Sequence, residues 1–285
     1  MASSVRSGSC MVQCDYGPQV TYKSKKLEPY AKGSTLSTQA QQADKVWEQQ
    51  KALIYECSPK ELRQEKVYAE KILGKIVPNQ DGRQQISHTT KWPYSFHAQI
   101  SMNFDGQIYG GSGALIGPHH LLTCGHNVYD TERKQWAQSI TVYPALSDDY
   151  APFGNAKVVR VYTFSDWTDR GDRKYDIALL ILNVSIGRYT GWGGLLCTAD
   201  LELSQELVNI VGYPGDKGMK QMWGMEHKIQ KISQEEFEYE IDTHGGQSGS
   251  AIWVNKFGTP MILGVHTLGG DNANFGVRIS REKFN

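Results

Sequence analysis

The sequence predicts an all-β fold of sandwich or barrel type behind an α-helical N-terminal extension, and three observations carry that reading. From residue 76 onward, apolar residues recur at every second position in short runs, as a strand with one buried face requires. Gly, Pro, Asn and Asp punctuate the gaps, and 29 glycines in 285 residues suit a chain of many turns. Before residue 76 the spacing is helical instead.

Residues 1–37 are polar, show no sustained period and read as loose. From Thr38, Ala43, Val46, Trp47 and Ile54 recur at three- and four-residue steps. Ser58-Pro59-Lys60-Glu61 then forms a capping box, in which the Ser oxygen and the Glu carboxylate accept the exposed N–H groups of a helix start. Leu62, Val67, Ala69, Ile72 and Leu73 follow, and Gly74 supplies the stop. Two short helices are expected, within an extension covering 1–75. Charge divides at the same place: residues 1–75 carry net +4 and residues 76–285 net −4. Strands are expected at 97–104, 140–146, 157–164, 176–182, 207–213, 235–241, 251–254, 261–265 and 275–279.

Composition excludes several classes. Thirty basic residues balance thirty acidic ones, so the chain is not a globally basic nucleic-acid binder. The longest aliphatic run, 177–182, is far short of the ~20 residues that a membrane helix needs. The N-terminal sequence lacks the apolar core of a secretory signal. The five cysteines are too few and too scattered for a disulfide framework and read as unpaired. Cys10 and Cys14 have no second close pair, and His119 and His120 would point to opposite faces of a strand. No metal and no cofactor are therefore expected.

The strongest chemical signal is Asp242-Thr-His-Gly-Gly-Gln-Ser248-Gly-Ser. A serine hydroxyl is a poor nucleophile unless a base takes its proton and donors stabilise the developing oxyanion. The two glycines before Ser248 allow the backbone N–H groups of Gly246 and Ser248 to face one small oxyanion hole. In Leu121-Leu-Thr-Cys-Gly-His126, an imidazole follows an apolar strand, and in Tyr175-Asp176-Ile-Ala-Leu-Leu a carboxylate stands at the mouth of another. Each segment alone also fits an ordinary turn. Together they supply a base, an orienting carboxylate and a nucleophile in the order His, Asp, Ser. The Gly-x-Ser-x-Gly turn of α/β-hydrolases is absent, because Ser250 stands where its last glycine belongs.

These motifs, with Ile76-Val-Pro-Asn-Gln-Asp-Gly-Arg, Ala114-Leu-Ile-Gly-Pro, His126-Asn-Val-Tyr-Asp-Thr, Gly212-Tyr-Pro-Gly-Asp-Lys217 and Gly264-Val-His-Thr-Leu-Gly-Gly270, make residues 76–285 similar to glutamyl endopeptidases, the V8-like branch of the chymotrypsin-like serine proteases. The resemblance implies two six-stranded antiparallel β-barrels, about 76–185 and 186–285, with the active site between them. It implies His126, Asp176 and Ser248 as catalytic residues and protein or peptide substrates. It also implies a zymogen in which 1–75 is a prosegment or regulatory extension, cut at Lys75–Ile76 or, one residue earlier, at Gly74–Lys75. Asn127 stands where many relatives have a half-cystine.

For substrate choice the resemblance implies a pocket lined by Thr243 and His266, whose donors would hold a Glu carboxylate. Asp242, six residues before Ser248, keeps a basic-residue preference open as a competitor. A catalytically silent, protease-like binding module is the other alternative. A monomer with no nucleic-acid or membrane partner is expected. Location stays open, since the family is mostly secreted while this chain shows no leader and unpaired cysteines.

Overall fold

The computed structural model describes residues 11–15 and 81–285, except 199–202, 204–205, 257, 271, 281–282 and 284–285. Seventeen strands occur among the described residues. In the N-terminal half they are β1 (Met11–Asp15), β2 (Gln84–Gln85), β3 (His97–Phe104), β4 (Gln107–Gly117), β5 (His120–Thr123), β6 (Tyr129–Asp130), β7 (Gln135–Trp136), β8 (Ser139–Pro144), β9 (Ala156–Phe164) and β10 (Ala178–Leu182). Then come β11 (Gly194–Leu195), β12 (Leu207–Gly212), β13 (Trp223–Ile232), β14 (Glu236–Tyr239), β15 (Ala251–Lys256), β16 (Thr259–Gly269) and β17 (Asn274–Arg278). The α-helices are short: α1 (Ser165–Arg170) and α2 (Gly187–Thr190).

The strands close into two six-stranded antiparallel barrels. In the first, neighbours run β9-β10-β5-β4-β3-β8, and β8 returns to β9. In the second they run β16-β15-β12-β13-β14-β17, and β17 returns to β16. Closure leaves no long unpaired edge within either ring. Every expected strand is present, with ends shifted by a few residues. Two long strands, β4 and β13, had no counterpart among the expectations.

The expected helices between residues 38 and 74 lie outside the described residues, as do Lys75 and Ile76. The loose reading of residues 1–37 is corrected at one place. Met11–Asp15 is a strand, paired antiparallel to β9 from Met11↔Phe164 to Asp15↔Arg160. Its backbone groups are satisfied by a partner about 150 residues away in sequence, a signal that no local period carries.

The apolar cores follow from alternation. Ile100, Leu115, Leu121, Leu180 and Leu182 fill barrel one, and Val208, Ile210, Phe237, Ile252 and Leu263 fill barrel two. Each fully buried side chain of this size contributes roughly 1.5–3 kcal/mol. The first core does not stop at its own barrel. Val211, Tyr213, Trp253 and Val265 belong to the same contiguous cluster, so the barrels are joined by apolar packing. Above that joint lie the loops that carry His126, Asp176 and Ser248.

Candidate active site

Strand pairing brings His126 and Asp176 together. β10 runs antiparallel to β5 with Ala178 opposite Thr123, so the end of one strand adjoins the start of the other. His126 lies just past that end, in a 3₁₀ turn (Gly125–Asn127), and Asp176 just before that start, after the turn Arg173–Tyr175. Asp176 accepts twice from the same residue. Its Oδ2 lies 2.8 Å from His126 Nδ1, and its Oδ1 takes the His126 backbone N–H at 2.8 Å. An ionised carboxylate only accepts, so Nδ1 carries the proton and Nε2 is left as the base. The Asp176 side chain is 3% exposed and that of His126 16%, so the pair is nearly dry yet reachable.

Burial alone would lower the His126 pKa. The Asp176 charge, the neighbouring Cys124 and hydrogen bonds to both outweigh it, and hold the imidazole well above its usual range. Cys124 Sγ lies 3.4 Å from His126 Nε2, and burial pushes its thiol pKa up. Cys124, His126 and Asp176 offer ligand atoms within 4.8 Å of one another, as a metal site would. Both Asp176 oxygens are already committed to N–H groups of His126, however, so the carboxylate is engaged with the imidazole.

Ser248 lies in the turn between β14 and β15, beyond the barrel joint. Gly246 has φ +97°, and a Cβ there would stand 2.7 Å from the Tyr213 carbonyl oxygen, so only glycine fits. Around it the N–H groups of Gln247, Gly249 and Ser250 donate to His244, His266 and Gln247 carbonyls. The N–H groups of Gly246 and Ser248 donate to no protein acceptor among the described residues. Two backbone donors around Ser248 are thus uncommitted among the described residues. The Ser248 hydroxyl donates to the Thr267 carbonyl at 3.3 Å and, among the described residues, makes no hydrogen bond with His126.

Two residues to which the sequence reading gave no role in the site, Ser112 and Asn127, hold the turn from barrel one. The Ser248 carbonyl accepts the Ser112 N–H at 2.8 Å and Asn127 Nδ2 at 3.0 Å. Ser112 Oγ donates to the Gly246 carbonyl at 2.8 Å and accepts the Tyr213 N–H at 2.9 Å. Asn127 thus makes a hydrogen-bonded tie at the position where the resemblance leads one to look for a half-cystine.

His266 and Thr243 flank the same turn. The His266 N–H donates to the Ser250 carbonyl, and its carbonyl accepts the Gly249 N–H, each at 2.8 Å. Burial pushes the imidazole pKa down to about 3, with the His126 charge adding to the effect, so His266 is neutral. Its Nδ1 lies 2.7 Å from Tyr239 Oη, which is also 3.0 Å from the Phe275 carbonyl. Thr243 Oγ1 is buried and has no partner among the described residues. Asp242 Oδ2 accepts the Gly82 N–H at 2.7 Å.

The chain is similar to several known proteins. Residues 111–258 match the trypsin-like peptidase domain family. A glutamyl endopeptidase of Bacillus licheniformis is 34% identical over 218 residues, covering 74% of this chain and 67% of that protein. A Bacillus subtilis protein named extracellular metalloprotease is 32% identical over 208 residues, covering 72% of this chain and 66% of its own length. The chain thus spans about two thirds of these relatives. A solved structure of a Glu endopeptidase in complex with MPD superposes with a TM-score of 0.67 at 30% identity, covering 73% of this chain and 95% of that one.

The His126–Asp176 pair yields a prediction that needs no substrate. In a histidine NMR titration, His126 will titrate above 6.5, the usual imidazole value. In Asp176→Asn the largest raising cause is gone while burial remains, so the same resonance will titrate at lower pH than in wild type. An unchanged midpoint in that variant would show that Asp176 does not control this imidazole.

Proposed function

Because the chain belongs to the trypsin-like peptidase family, we propose that it is a serine endopeptidase, acting through an acyl-enzyme and preferring Glu before the cut. The observation that carries the chemistry is the double acceptance of His126 by Asp176, beside a serine flanked by two uncommitted amides. Ser248 Oγ attacks the scissile carbonyl carbon while His126 Nε2 takes its proton. The carbonyl oxygen, now negative, accepts the Gly246 and Ser248 N–H groups. The imidazolium, steadied by Asp176, returns the proton to the leaving amine, and water repeats the cycle on the acyl-enzyme. The elevated His126 pKa suits a base that becomes an acid half-way through the reaction.

Residues 76–285 form the peptidase domain, with barrel one over about 76–185 and barrel two over about 186–285. Residues 1–75 are a prosegment released at Lys75–Ile76. Substrates are proteins or peptides, and the working unit is a monomer. The Glu preference is supported by two polar side chains with capacity left in a dry setting, Thr243 and His266. Tyr239 donates its hydroxyl to the Phe275 carbonyl and lies 2.7 Å from His266 Nδ1, which holds the imidazole in place. Asp242, the feature that favoured basic residues, is buried and spends one oxygen on the Gly82 N–H.

Three outcomes test these proposals. Fluorophosphonate will label the wild type and not Ser248→Ala, and kcat will fall by about 10⁴-fold or more in Ser248→Ala and His126→Ala. A silent binding module would show no labelling at all. On peptides identical except for Glu, Asp, Lys, Phe or Ala before the scissile bond, Glu will be cut fastest, and His266→Ala will depress the Glu substrate selectively. Faster cleavage after Lys would return the pocket to Asp242. The mass of fully active protein will correspond to residues from 76 onward, and an intact extension would rule out a prosegment.

A further inference from the structure

The proposed reaction does not use Arg83, yet Arg83 is the most heavily committed cation near Ser248. Its guanidinium is fully buried and pairs with two carboxylates. Nε and Nη2 each lie 2.9 Å from an Asp81 oxygen, and Nη1 and Nη2 lie 3.1 and 2.7 Å from the two Asp216 oxygens. Nη1 also reaches Gln247 Oε1 at 3.4 Å. Lysine, a point charge on a flexible stem, has no planar fork with which to make this double bidentate set.

The partners explain the site. Asp216 lies in the 3₁₀ turn Gly215–Lys217, and the Gly215 N–H donates to the Gly245 carbonyl at 2.6 Å. Gln247 Oε1 also takes the His244 N–H at 3.0 Å. His244 Nδ1 stands 3.8 Å from Asp216, and Lys217 Nζ 3.6 Å. Arg83 itself is anchored on barrel two, where Gln84 and Gln85 pair with Gly224 and Trp223 in β13, and the Ile86 N–H donates to the Met222 carbonyl. Two adjacent glycines have more backbone freedom than any other dipeptide, and an oxyanion hole works only if its amides are fixed before charge develops. Something must supply the order that Gly245 and Gly246 lack.

We propose that Arg83 is a positioning residue that locks the Gly245–Gln247 turn, through Asp216 and Gln247, so that the Gly246 and Ser248 amides stay aimed at the oxyanion. This rests on the peptidase reading above. It ties transition-state stabilisation to the short segment 81–86, just after the proposed cleavage point. Disturbing Arg83 acts on kcat for every substrate alike, because the oxyanion is common to all of them, and leaves the residue preference untouched.

The test compares wild type, Arg83→Ala, Arg83→Lys and Asp216→Asn on Glu and Ala peptides, with thermal midpoints measured in parallel. In Arg83→Ala, kcat will fall by about 10²-fold on both peptides with KM little changed. Millimolar guanidinium chloride will restore part of it, whereas equal sodium chloride will not. If Arg83→Ala does not fold, Arg83→Lys and Asp216→Asn carry the test, each with kcat lowered by about tenfold on both peptides. A folded variant with wild-type kcat and only a lower thermal midpoint overturns the proposal, because Arg83 then merely fastens the segment. A loss confined to the Glu peptide also overturns it. Wild type that neither cuts peptides nor takes up fluorophosphonate overturns the peptidase reading, and this proposal with it.

Discussion

The Ser248 carbonyl oxygen is the point at which the two barrels are fastened at the site. Its acceptance of the Ser112 N–H and of Asn127 Nδ2 brings a strand of barrel one and the turn after His126 onto a single atom of the barrel-two loop. Ser112 Oγ extends the same tie to Gly246 and Tyr213, and Thr123 Oγ1 donates to the Ser112 carbonyl at 2.8 Å. One such bond contributes about 1 kcal/mol net, but leaving a buried partner unsatisfied costs about 1–3. The network therefore holds as a unit. Gly249 is part of the constraint: at φ +91°, a Cβ there would come within 2.0 Å of the Ser112 carbonyl oxygen. The backbones approach too closely for any other residue, and that approach sets Ser248 above the end of β5, where His126 follows.

The fold was legible wherever one strand face is buried and the other is wet. The expected 97–104 and 157–164 differ from the observed strands by a residue at most. β4 escaped because Gly110, Gly111, Gly113 and Gly117 erase its alternation. At Gly111 the reason is tertiary, since a Cβ would stand 2.7 Å from Asn127 Nδ2. β13 escaped for the opposite reason: Glu226, His227 and Lys228 in its middle are all exposed, which reads as a loop until its pairing with β12 is known. Barrel closure itself was legible only through resemblance, because β8 meeting β9, or β16 meeting β17, is a long-range pairing that composition does not encode.

The site divides in the same way. His126, Asp176 and Ser248 each carry a local signature, an apolar strand end or a glycine turn, so the sequence alone singles out all three as candidates. Arg83, Ser112 and Asn127 carry none. Arg83 looks like a solvated charge in a polar stretch, and Ser112 like one more small residue among glycines. Their partners lie 133 and 134 residues away, at Asp216 and Gly246. What the sequence concealed was the scaffolding of the reactive groups rather than the groups themselves. Scaffolding is made of long-range hydrogen bonds, and residue type alone says little about those.

In the pocket proposed at Thr243 and His266, burial limits the way charge would be recognised. An imidazolium at His266 would meet a carboxylate most strongly, yet burial and the nearby His126 keep it neutral. In the proposed pocket a neutral His266 would recognise by hydrogen-bond geometry rather than by net charge. Tyr239, which donates to the Phe275 carbonyl at 3.0 Å and lies 2.7 Å from His266 Nδ1, holds that ring in place. Selectivity built this way would work largely through exclusion. A Thr243 hydroxyl left facing an apolar side chain would stay unsatisfied in a dry pocket, and that desolvation penalty would fall on the wrong substrate.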